Sequence, residues 1–177
     1  MPPPLSPSPE SSLTPSSLYV ALYLRTDPPT PNDFHWALYH HLSPHTGGIK
    51  HHIRNEGSGH WIPDHSPTVN IMKELLLVGL LRIAQVPEEM GREGLERAVG
   101  MFDGGLNGGE VGMTMTCRVW VVKVLGVLRG EGLFGDVVVD LGELEREVKG
   151  WGNGQAMGAS ANVQPRPVGE LGLCFGK

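Results

Sequence analysis

Cysteine is scarce in this chain: Cys117 and Cys174 are its two thiols among 177 residues. Two cysteines so far apart do not make a disulfide framework. Both are therefore expected free, in a reducing compartment, and the expected location is cytoplasmic. Basic charge is also short. Fourteen Lys and Arg stand against 19 Asp and Glu, for a net charge of −5. No basic field is present to draw the chain to nucleic acid. Long apolar runs are missing too, and none approaches the roughly 18 residues of a membrane span. The start, Met1-Pro2-Pro3-Pro4-Leu5-Ser6, has neither the basic residues nor the apolar stretch of a secretory signal. A phosphate loop is excluded, because Gly104-Gly105-Leu106-Asn107-Gly108-Gly109 lacks the following Lys-Ser/Thr. No Gly-x-Ser-x-Gly elbow occurs.

What remains is enough apolar sequence, 40% of residues, for one domain with a core. Residues 1–16 are nearly all Pro, Ser, Thr and Glu, and are expected to form a disordered tail. Ser17 to Arg25 alternates Leu18, Val20, Leu22 and Leu24 against Tyr19, Ala21 and Tyr23, and reads as a central strand. Phe34 to His41 is a second strand, paired antiparallel across a short Pro-rich loop. Ile49 to Arg54 is a third. Ile71 to Val86 starts with helix formers, but its later half, from Leu80, reads as strand. Glu88 to Phe102 is expected to be a helix, with Pro87 ahead of it and Leu95, Val99 and Phe102 on one stripe.

A Gly-rich loop leads to a helix from Cys117 to about Arg129, capped by Thr114 or Thr116. Its apolar face is Cys117, Val121, Val124 and Leu128, with Trp120 beside it. Leu141 to Val148 is a short charged helix. From Trp151 periodicity is lost, and residues 152–177 are expected to be a flexible tail. The domain is thus residues 17–151, an α+β unit with strands first and helices after.

Two residue types carry candidate chemistry. Cys117 opens a helix, where free N–H groups and the dipole favour a thiolate and offer an oxyanion site. The alternative is a small buried apolar side chain. His35 lies in the strand Phe34-His35-Trp36-Ala37-Leu38, as a base or as a packed strand histidine. All eight histidines fall between His35 and His65. Pro44 separates His41 from His45, so no helix face joins them. Adjacent pairs on a strand point opposite ways. The reading is a His-rich surface with adventitious binding, not a metal site, and no cofactor is expected.

The segments Phe34-His35-Trp36-Ala37-Leu38, Cys117-Arg118-Val119-Trp120 and Leu128-Arg129-Gly130-Glu131-Gly132-Leu133 resemble a family of small, uncharacterised fungal proteins. In that family a Phe-His-Trp-Ala-Leu strand precedes a second histidine strand and a helix opening with Cys-x-x-Trp. The family in turn looks like permuted papain-like folds, such as lecithin–retinol acyltransferase, in which the histidine strand precedes the cysteine helix. The resemblance implies an antiparallel sheet packed on the cysteine-bearing helix. It implies a cysteine hydrolase or acyltransferase acting on an amide, ester or thioester of a small-molecule or peptide substrate. Cys117 would be nucleophile and His35 general base. His52 or His51 would orient the imidazole. The family pattern suggests His52, whereas alternation favours His51 if the helix-covered face is the working face. A non-catalytic binding module of the same fold and a His-rich metal-binding protein are the other readings.

Overall fold

The computed structural model of the chain describes residues 12–57, 59–108 and 114–177. These residues form an α+β structure built on one six-stranded sheet. The strands are β1 (Ser17–Leu24), β2 (Phe34–Ser43), β3 (Gly47–Asn55), β4 (Trp61–Thr68), β5 (Leu77–Gln85) and β6 (Val168–Glu170). Their spatial order is β4-β3-β2-β1-β5-β6. Every pairing is antiparallel except that of β5 with β6. β1 lies between β2 and β5, and all of its residues are buried, as its two apolar faces imply.

Three helices cover one face: α1 (Gly91–Gly100), α2 (Cys117–Gly130) and α3 (Leu141–Ser160). α2 lies across β2 and β3, α3 across β5 and β1, and α1 leans on α2. The layer between them holds Leu18, Val20, Leu22, Phe34, Trp36 and Leu38 from the sheet, with Cys117, Trp120, Val121 and Val124 from α2. The opposite face carries Tyr19, Ala21, Tyr23, Ala37 and Tyr39, and is roofed more thinly by Leu13, Ile71 and Met72. The two residue sets are those that alternation separates.

Four expectations change. β4 was not foreseen, because Pro63 and Pro67 interrupt its pattern. It is an edge strand, where a missing N–H costs no ladder bond. The first turn expected of α1 is displaced, and the helix begins at Gly91. α3 does not stop at Val148 but runs 20 residues to Ser160. Its glycines hide the pattern, yet Gly152 has a packing reason. A Cβ there would stand 2.7 Å from Leu22 Cδ1 and 2.9 Å from Phe34 Cε2.

Residues 152–177 are accordingly no loose tail. After α3 the chain returns to the sheet as β6, with Leu80 N–H donating to the Pro167 carbonyl and Leu171 N–H to the Arg82 carbonyl. Leu171 and Cys174 are buried. Of the expected N-terminal tail, residues 1–11 lie outside the described residues. Leu13 is buried, and Thr14 N–H donates to Tyr19 Oη at 2.8 Å.

Candidate functional site

Cys117 stands at the first position of α2, and Thr116 is the cap. The Thr116 hydroxyl accepts the Val119 N–H at 3.2 Å. The thiol is 4% exposed and belongs to the apolar layer under the helices. Its Sγ faces the Phe34 carbonyl oxygen at 4.0 Å. Phe34 and Trp36 face this layer, so His35 between them faces the other way. Its ring packs against Tyr23, 6.1 Å between centroids, on the far side of the sheet. The structure therefore does not bring Cys117 and His35 together. Helix start and histidine strand are adjacent, but the side chains leave the sheet on opposite sides.

His35 has a different partner. Its Nε2 lies 2.8 Å from His52 Nδ1. His52 Nε2 faces the Asp64 carboxylate at 3.7 Å, and Arg54 donates to that carboxylate at 3.0 Å. Whichever way round, the His35–His52 contact joins one ring's N–H to the other ring's lone pair. Burial, with the neighbouring imidazole second, pulls the His35 pKa down to about 4. Burial and then Lys50 do the same for His52, also to about 4. Both rings are neutral at pH 7. Beside them Lys50 bridges both oxygens of Glu74 at 2.9 and 2.8 Å, and Tyr23 Oη donates to Glu74 at 2.6 Å. Burial first, then the Glu74 charge, raises the Tyr23 pKa. The result is a polar half-face of alternating, mutually bonded groups.

His51 lies on the helix side, opposite Leu38 and His65 in the ladder. Its ring is 5.2 Å from that of His65, which stacks on Trp120. His65 Nε2 donates to Asp103, 3.1 and 3.3 Å from the two oxygens. His40, one strand over, is also buried. His51 Nδ1 and Nε2, His40 Nδ1, His65 Nδ1 and Trp120 Nε1 are buried without a hydrogen-bond partner among the described residues. Burial and the neighbouring imidazoles hold His51 down at about 3. Burial, then Arg92, holds His40 at about 4.

Among the described residues, no three or more His, Cys, Asp or Glu side chains are grouped so as to hold a metal ion. His45 and His60 join neither imidazole cluster. Cys174 is buried, and burial with the Glu147 charge pushes its thiol up to about 12.

Sequence reasoning missed Asp64, Asp103 and Glu74. Asp64 reaches His52 only through the register of an unforeseen edge strand, and Asp103 reaches His65 only through a loop fold. Comparison with protein-family models, with curated proteins and with solved structures finds no match to this chain. Among the described residues no helix is long and apolar enough to cross a membrane.

Proposed function

We propose that the chain is a non-catalytic binding module that takes a small-molecule or peptide ligand on the polar half-face around His35 and His52. The single observation that carries this reading is the placement of Cys117 and His35 on opposite faces of the sheet. A thiol–imidazole dyad needs the two within hydrogen-bond reach on one face. A permuted papain-like frame remains the finer reading of the fold. In its favour are the order, histidine strand before cysteine helix, and the seat of that helix on the strand. The frame then serves without its dyad.

The chemistry of the half-face favours binding over proton transfer. A general base works best with a pKa near the operating pH, and both imidazoles lie near 4. At neutral pH they offer uncharged, hydrogen-bonding rings that are only half-buried. Lys50, Arg54 and Arg25 are already bonded to Glu74, Asp64 and Asp33. The matching ligand is therefore a neutral hydrogen-bonding group, such as an amide or an alcohol.

Iodoacetamide alkylation followed over pH, in the wild type and in His35→Ala, tests the reading. Mass spectrometry separates Cys117 from Cys174. The expected outcome is slow labelling of Cys117 with a profile indifferent to His35→Ala. An apparent Cys117 pKa well below 8, raised by His35→Ala, would overturn it and restore the cysteine hydrolase or acyltransferase reading.

A further inference from the structure

Among the described residues two leucines are exposed, and they are consecutive: Leu75 at 79% and Leu76 at 47%. They are the central pair of a tight turn in which Leu77 N–H donates to the Glu74 carbonyl at 3.4 Å. Leu76 has a φ of 68°. With the left-handed residue third of four, this is a position where Gly or Asn is usual. The other described non-glycine residues at positive φ, Ser16, Asn32 and Asn162, are small and polar. Leu76 alone sets a large apolar side chain against the local preference. Its carbonyl accepts the Leu24 N–H at 2.9 Å, so the turn is tied to the end of β1. Neither leucine belongs to either buried apolar layer.

The turn closes over one end of the polar half-face. Glu74, its first residue, accepts from Tyr23 Oη and from Lys50, and Leu77, its last, lies opposite Tyr23 in the ladder. From there a row of side chains crosses four strands: Tyr23 on β1, His35 on β2, His52 on β3 and Asp64 on β4. Strands stand about 4.8 Å apart, so the row spans about 14 Å, the reach of roughly four extended residues. Its charges are paired with one another. Lys50 and Glu74 are 17% and 25% exposed in their ion pair, and Arg54 holds Asp64. A charged ligand would have to part these pairs. An uncharged chain that repeats N–H and C=O groups along its length leaves them intact.

We propose that the Leu75–Leu76 turn is the apolar subsite of the binding face, and that the ligand is an extended, uncharged peptide segment whose apolar end residue rests on the turn. The inference depends on the binding reading above and narrows its ligand. The peptide's amides bond the imidazole row, and its apolar end removes the two leucines from water. That burial is the gain that offsets a leucine at a left-handed position. A lipid surface would take the two leucines without using the hydrogen-bonding row beside them.

An NMR titration of the intact chain at pH 7 with the blocked tripeptide acetyl-leucyl-seryl-leucine amide tests this. The expected result is saturable shifts at Tyr23, His35, His52, Leu75 and Leu76, with acetyl-glycyl-seryl-glycine amide binding about fivefold more weakly. Leu76→Asn suits the left-handed backbone and lacks the apolar side chain. It should keep or raise the urea midpoint while weakening the leucine peptide about fivefold, a split that a merely structural leucine does not give. Leu75→Ser should weaken the same peptide alike. Shifts at His35 and His52 that ignore both leucine variants and the peptide's side chains would overturn the apolar subsite and leave the binding face standing. No saturable shift at either imidazole with either peptide would overturn both. Capture by phosphatidylcholine vesicles, or self-association of the chain, that is lost in Leu75→Ser and comes without peptide binding would assign the turn to another occupant and overturn the proposal.

Discussion

At the scale of single residues, chemistry here is set by which way a side chain leaves the sheet. His51 and His52 are neighbours in sequence with opposite surroundings, one against His65 and Trp120, the other against His35 and Asp64. Gly152 shows the same dependence on position. By helix propensity, Gly152→Ala would gain up to about 1 kcal/mol. Its methyl would instead stand 2.7 Å from Leu22 and 2.9 Å from the Phe34 ring, where overpacking costs about 1–3 kcal/mol. Gly152→Ala is expected to be destabilising by about 1–2 kcal/mol net, read as a lower midpoint in urea. Gly154→Ala is the control: it lies on the same helix with nothing near its Cβ, and it should be neutral or stabilising.

At the scale of elements, α2 and the C-terminal segment explain why the helix layer seats where it does. Thr116 ends the approach to α2 and bonds its first turn, so Thr116→Ala should lower stability by about 1 kcal/mol without moving Cys117. The end of α3 is closed by Arg166, 3% exposed, whose guanidinium donates to the carbonyls of Ala159 and Val163 and to Asn162 Oδ1. A cation at a helix C-terminus suits the dipole. Beyond it, Arg82 bonds Ser17, Gln85 and Glu170, tying β1, β5 and β6 together. Removal of residues 152–177 would strip half of α3, β6 and the buried Leu171 and Cys174. The truncated chain is expected to lose cooperative thermal unfolding, which near-UV circular dichroism would register. A truncation that kept the full transition would show the segment to be dispensable.

For the whole molecule, the pH dependence of stability follows from imidazoles buried in neutral form on both sides of one sheet. His35, His40 and His52 sit near pKa 4 and His51 near 3, each below the ordinary 6.5. A depressed folded-state pKa means that the unfolded chain takes the proton first. Stability is therefore complete above about pH 6.5 and declines as pH falls from there through about 4, and through about 3 for His51. At pH 5 each such imidazole weighs against the folded state by up to about 2 kcal/mol. Urea midpoints measured from pH 8 to pH 5 should hold steady at first and then fall. Flat midpoints over pH 7 to 5 would show these rings to be solvated.

Much of this was open to sequence reading. Alternation in Ser17–Leu24 and the 34–41 run is a local property, and it placed two strands and their faces. The Thr-Cys helix start and the stripe through Trp120 and Val124 were equally local. Even the separation of thiol and imidazole has grounds in the sequence, since Phe34 and Trp36 flank His35 and claim the helix side. What alternation does not state is which face a helix will cover, because that depends on every other element competing for apolar surface. Cys117 followed Phe34 and Trp36 to the buried layer, and His35 was left to bond His52. Register across β3 and β4 then brought in Asp64, and the loop after α1 brought in Asp103. Each segment's periodicity is written locally, in its own residues. Which periodic faces meet is settled in the folded chain, because burial is shared by all of its segments and none sets it alone.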